Sequence, residues 1–135
     1  MRIYISGRFE DQQRLRPQRD ALWAMGHEVV SSWLDEIAHP SGMMDEIFHK
    51  KLSIKDLGEV RAADMLILDT LGERSSGKQI EYGAALSSVT PKLVYIVGPR
   101  TSTFHYLADH VFSNWEDCLH ALHNTRSTSQ VAQDE

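Results

Sequence analysis

The chain is 135 residues long and 41% hydrophobic, the size and apolar content of one domain with an ordinary core. A formal net charge of -5 with no basic block argues against a nucleic-acid polymer or an anionic membrane as partner, and leaves room for a small anionic ligand held by a local cluster. One cysteine, Cys118, excludes an internal disulfide and fits the reducing cytoplasm, and the apolar runs fall far short of the roughly 20 residues that a membrane helix requires.

Ile3, Tyr4 and Ile5 give Arg2 to Ser6 the β-branched and aromatic character of a first strand, so the chain is expected to open in structure rather than with a signal peptide. Ser6-Gly7-Arg8 then turns. It reads equally as a loose phosphate cradle and as an ordinary strand-to-helix turn with a solvated arginine, since neither G-x-G-x-x-G nor a Walker pattern is present. Glu10 to Met25 has helical period, with Leu15, Leu22 and Met25 on one face. Pro17 requires either a later start or a kink, and Gly26 is a stop. His27 to Trp33 is a second strand centred on Val29 and Val30, and Trp33 at its carboxyl end either stacks on a base or covers the core edge. Asp35 to Gly42 is a loop with a solvated His39. Met43 to Ala63 is helical, as one helix or as two with a break near Ser53, and Asp64 caps the amino end of the next strand.

Met65 to Leu68 is a continuous apolar run, the pattern of a strand buried on both faces. Asp69 to Gly77 is a polar loop and Lys78 to Leu86 a helix, which together make half of a parallel βαβ unit. Lys92 to Val97 is a fourth strand, followed by the Gly98-Pro99-Arg100 turn. Thr101 to Asp109 is irregular or briefly helical, and His110 to Phe112 is a short fifth strand. Ser113-Asn114 cap a final helix, Trp115 to Leu122, which buries Cys118 as a structural thiol. Residues 1–123 form the domain and residues 124–135 a polar tail. The element order predicts a single-domain α/β three-layer sandwich, flavodoxin-like or Rossmann-like, with a five-stranded parallel sheet in the order 2-1-3-4-5. Ligands of such sheets bind beyond the carboxyl ends, at the switch between strands one and three. That sets Tyr4 to Arg8 beside Asp69 to Glu81.

Glu81 is expected in the first turn of the helix leaving this loop. A carboxylate there is either a nucleophile or a glutamate favouring the helix dipole, and the amides of Ser75 to Lys78 can hold an anion. Asp56 by itself reads as a solvated charge. His105, His110, His120 and His123 accompany no H-E-x-x-H and no cysteine pair, so no metal is expected.

Taken jointly, Ile3-Tyr4-Ile5-Ser6-Gly7-Arg8, Asp56-Leu57, Ala63-Asp64-Met65-Leu66-Ile67-Leu68-Asp69 and Ser75-Ser76-Gly77-Lys78-Gln79-Ile80-Glu81-Tyr82-Gly83 resemble the nucleoside 2-deoxyribosyltransferase superfamily. That superfamily also contains nucleoside 5'-monophosphate N-glycosidases. The resemblance spans residues 1–97 and lies in the order and spacing of short motifs. It implies Glu81 as the nucleophile at the anomeric carbon, Tyr4 as its hydrogen-bonding partner, and Asp56 as the acid that assists departure of the base. It implies Ser6, Gly7, Arg8, Asp69, Ser75, Ser76 and Gly77 as substrate-binding residues, to which Trp33 is added from its place at the carboxyl end of the second strand. Ser75 stands where the transferases carry an aspartate for the sugar hydroxyls and the monophosphate hydrolases a serine. An aspartate would repel a 5'-phosphate, whereas Ser75, Ser76 and Arg8 would accept one. Lys78 and Gln79 stand where small or apolar residues are common.

The leading expectation is therefore hydrolysis of the N-glycosidic bond of a (deoxy)nucleoside 5'-monophosphate. The alternatives are a deoxyribosyltransferase exchanging bases and a non-catalytic nucleotide-binding or sensing module. The resemblance implies no cofactor, a small-molecule nucleoside or nucleotide as ligand, and a homodimer or larger homo-oligomer.

Overall fold

The computed structural model describes residues 1–37 and 46–123. The expectations for His39, for a helix start at Met43 and for the tail fall outside these residues. Five parallel strands, β1 (Arg2–Ser6), β2 (Glu28–Val29), β3 (Met65–Asp69), β4 (Leu93–Val97) and β5 (His110–Phe112), lie in the order β2-β1-β3-β4-β5. This is the order expected from the sequence, with its reversal between β1 and β3. Ser6 pairs with Leu68 and Asp69 with Val97, so the central strands end nearly level.

Every residue of β3 is buried, because helices cover both faces of the sheet. Helices α2 (Glu46–Ala62) and α3 (Ser76–Leu86) pack on one face and on each other. Helix α1 (Gln12–Ala24) and the final helix α4 (residues 115–123) take the other. Side chains alternate along a strand, so Tyr4 and Ser6 point towards α3, while Asp69 meets Arg14 of α1 and Trp115 of α4. No helix among the described residues is long and apolar enough to cross a membrane.

Three segments differ from the expectation. A 3-10 turn, Phe9–Asp11, precedes α1, and Pro17 then sits inside the helix rather than delaying it. Proline has no N–H to give to Gln13, and both residues are exposed, so water can take that carbonyl. The helix ends in a Schellman arrangement: His27 N bonds Leu22 O at 3.1 Å and Gly26 N bonds Trp23 O at 2.8 Å, with Gly26 at φ 92.

The second strand is shorter than His27 to Trp33. It stops at Val29, and Ser32–Asp35 forms a 3-10 turn. Trp33 and Leu34 are both buried within this turn. Side chains continue the ladder that the backbone leaves: Ile5 N donates to Ser31 Oγ at 3.1 Å, and Trp33 Nε1 donates to Ile5 O at 2.8 Å. The third difference is the start of α3, two residues before Lys78. Ser75, in extended backbone, is the cap position, and the polar pair Ser76-Gly77 supplies the first turn without any hydrophobic period to announce it. Helix α2 has no break at Ser53, whose hydroxyl bonds the His49 carbonyl one turn back at 2.9 Å.

Candidate active site

Strand β1 and helix α3 bring three side chains together at the carboxyl end of the sheet. The Tyr4 phenol donates to Glu81 Oε2 at 2.6 Å, and the Ser6 hydroxyl donates to Glu81 Oε1 at 2.7 Å. Tyr4 and Ser6 are two residues apart, so the pleat puts both on the face that α3 covers. Each oxygen of one carboxyl therefore has its own donor, which fixes the carboxyl plane. Because α3 begins at Ser76, Glu81 is in its second turn and not its first, so the expected favourable place at the helix dipole does not apply.

Burial pushes the Glu81 carboxyl up to about 7. The Tyr4 and Ser6 hydrogen bonds oppose this rise, and the negative charges of Asp56 and Glu59 add to it. Burial and the adjacent Glu81 charge hold the Tyr4 phenol far above its usual range, so it remains a donor. Asp56 projects from α2, and its field reaches both Glu81 and Tyr4. Burial raises the Asp56 carboxyl too, with Lys55 opposing and Glu59 adding. Its Oδ1 is buried with no hydrogen-bond partner among the described residues, a setting that favours the protonated form. Glu59, one turn along α2, is engaged elsewhere: it accepts from Ser32 N at 3.1 Å and from Ser32 Oγ at 2.6 Å.

The remaining candidates are placed differently. The Arg8 guanidinium is 2.8 Å from Glu73, 3.5 Å from Glu10 and 4.0 Å from Asp11. A phosphate reaching Arg8 has to displace Glu73. Asp69 is fully buried, and its two oxygens accept from Arg14 at 2.7 and 2.9 Å, Trp115 Nε1 at 2.7 Å and Leu71 N at 3.1 Å. It anchors the start of the β3–α3 loop. Trp33 is buried with its indole N–H on the Ile5 carbonyl. Gly7 lies against it: a Cβ there would meet Leu15 Cδ1 at 2.7 Å, so the turn depends on glycine for close packing.

Ser75 and Ser76 line a cavity of about 590 Å³ together with Gln79, Tyr82, Leu86 and Phe104. Gln79, Tyr82, Gly83 and Leu86 form one flank of α3, and Glu81 leaves the helix roughly 150° around its axis from that flank. Gly77 has an open surround, with only Ser75 Oγ at 3.8 Å from the place a Cβ would take.

Lys78 and Gln79 are ties. The buried Lys78 ammonium donates to the Glu73 carbonyl at 2.8 Å and the Asp69 carbonyl at 3.1 Å, clamping the loop that precedes α3. Burial lowers its pKa, against the pull of Asp69. Thr101 N donates to His105 Nδ1 at 3.0 Å, so Nε2 carries the proton and donates to Gln79 Oε1 at 2.8 Å. Sequence reasoning did not single out Arg14, Glu59 or Lys78 for these contacts. The i, i+3 spacing of Asp56 and Glu59 was the one readable sign of a paired acidic face. Among the described residues, no group of three or more His, Cys, Asp or Glu side chains is placed to hold a metal ion.

No family model matches the chain, and no curated protein matches it in sequence. Solved structures do match in fold. A 2-deoxyribosyltransferase from the psychrotolerant bacterium Bacillus psychrosaccharolyticus is 18% identical, with a TM-score of 0.71 over 88% of this chain and 90% of that one. The CMP N-glycosidase BcmB of Clostridium botulinum is 16% identical, with a TM-score of 0.60 over 90% and 98%. A conserved protein from Enterococcus faecalis V583 is 16% identical, with a TM-score of 0.62 over 89% and 95%. At these identities the likeness establishes a shared fold.

Proposed function

We propose that this chain is an enzyme that hydrolyses the N-glycosidic bond of a (deoxy)nucleoside 5'-monophosphate, with Glu81 as nucleophile. One observation carries the proposal: a half-buried carboxylate gripped at both oxygens by Tyr4 and Ser6, with the raised Asp56 carboxyl in its field. A Glu81 oxygen forms a bond to C1 of the sugar. The C1–N bond breaks, its electron pair goes to the base nitrogen, and Asp56 supplies the proton that neutralises the departing base. Asp56, now ionised, takes a proton from water as that water attacks C1, which releases Glu81 and regenerates both groups. The negative carboxylate also stabilises the oxocarbenium-like charge that develops at C1. The scheme calls on no metal or cofactor. Arg8 would hold the phosphate, with Glu73 yielding it as the phosphate arrives, and Ser75 and Ser76 would join it only from the amino end of α3, since the cavity they line lies on the flank away from Glu81.

The placement of Arg8 among three carboxylates favours a second reading, a nucleoside deoxyribosyltransferase that binds no phosphate. The fold shared with the Bacillus psychrosaccharolyticus transferase is compatible with it. A panel of nucleoside 5'-monophosphates and the matching nucleosides, assayed for released base with and without a free acceptor base, separates the two. Release from monophosphates alone supports hydrolysis. Exchange of base into a nucleoside, faster than hydrolysis, supports transfer, and tight binding without turnover supports a sensing module. A homo-oligomer and a cytoplasmic setting belong to the same proposal; the exposed Ile47, Ile54 and Ile80 on α2 and α3 are apolar surface that such an assembly would cover.

A further inference from the structure

Ser6 ends β1 with its side chain fully buried, and two acceptors lie within reach of its one hydrogen. Glu81 Oε1 is at 2.7 Å and the Lys78 carbonyl at 3.3 Å. We infer that Ser6 is a positioning residue for Glu81 and not a contact of the substrate: its hydroxyl donates to the ionised carboxylate and turns to the Lys78 carbonyl when that carboxyl takes a proton. The kinetic part of this inference rests on Glu81 being the nucleophile; the hydrogen-bonding part does not.

A buried hydroxyl has no water to fall back on, so its hydrogen goes to whichever acceptor binds it best. An ionised carboxylate at the shorter distance wins over a neutral carbonyl. Protonation at Oε1 makes the same contact a meeting of two O–H groups, and one of them must accept. Ser6 can accept because the Lys78 carbonyl takes its own hydrogen. The chain Glu81–Ser6–Lys78 carbonyl is thus satisfied in both charge states, and neither leaves an orphan. Tyr4 does not share this freedom: its phenol has Glu81 Oε2 as acceptor and stays a donor throughout. The two hydroxyls divide the work. Tyr4 holds one oxygen constantly, and Ser6 follows the charge on the other. The titratable and charged groups around Glu81 are Tyr4 on β1 and Asp56 and Glu59 on α2; the Lys78 ammonium, one turn before it on α3, is held by the Asp69 and Glu73 carbonyls. None of them changes when Ser6 is replaced.

The test compares wild type, Ser6→Ala and Ser6→Thr by two readouts. The first follows the Glu81 carboxyl by carbon-13 NMR through a pH titration, which needs no turnover. Ser6→Ala is expected to move the midpoint up by about one unit, because it removes a donor to the charged form, and Ser6→Thr to restore it. The second is the pH dependence of kcat and KM on a monophosphate that the enzyme cleaves. Ser6→Ala is expected to lower kcat roughly tenfold or more with KM nearly unchanged, and to move the acidic limb up with the NMR midpoint. An unmoved midpoint in a folded Ser6→Ala protein overturns the inference, and so does a raised KM with kcat intact. A shifted midpoint in a protein that cleaves nothing leaves Ser6 as argued and overturns the enzymatic reading instead.

Discussion

Glu81 carries a proton at acidity where an ordinary glutamate is ionised, and that has a measurable consequence for the fold. Its carboxyl rises from 4.5 to about 7 on folding. Below pH 4.5 the folded and unfolded chains both hold the proton, and above pH 7 the folded chain bears a charge that burial disfavours. Stability therefore falls as pH rises between those values, by up to about 3 kcal/mol. Glu81→Gln should remove this slope and be the more stable protein at pH 8, with the two converging near pH 4, as read by urea unfolding. On the proposed mechanism activity should have the opposite sign and rise through the same interval, because only an ionised Glu81 would attack. The position of this carboxyl beyond a buried strand was legible in the sequence, since a βα loop fixes it. Its second donor was not. Ser6 is 75 residues away in the chain, and only the period of two shared with Tyr4 hinted that both face one partner.

At the scale of elements, the loop between β3 and α3 is set by charges the hydrophobic pattern does not reveal. Asp69 is wholly buried, and Arg14 is the cation that bonds its carboxylate directly. Arg14→Ala leaves that carboxylate, among the described residues, with Trp115 and the Leu71 amide as donors, and is expected to cost about 3 kcal/mol of stability in urea unfolding. A loss under about 1 kcal/mol would mean that water reaches Asp69. Strand order was legible because right-handed crossovers leave few choices for this succession of elements. The end of β2 was not, because Ser31 and Trp33 complete the ladder with side chains. A run of apolar residues such as Val29, Val30 and Trp33 looks the same whether backbone or side chain supplies the bonds.

Across the whole molecule, the covered sheet sets what solvent and reagents can reach. Cys118 lies in α4 beneath that cover, and burial pushes its thiol up to about 12. Iodoacetamide at pH 8 should leave the folded chain unmodified and label it at the rate of global unfolding; rapid labelling would place α4 among the elements that open locally. The same sheet, with its reversal between β1 and β3, brings Tyr4 and Ser6 from the start of the chain to a helix that follows β3. Whether that meeting is a reaction centre is decided by one comparison: release of free base from nucleoside 5'-monophosphates by wild type and by Glu81→Ala, with both shown to be folded. The expected result is release by wild type and a loss of about a thousandfold or more in the variant. Release at an undiminished rate by Glu81→Ala would contradict a nucleophile at this position.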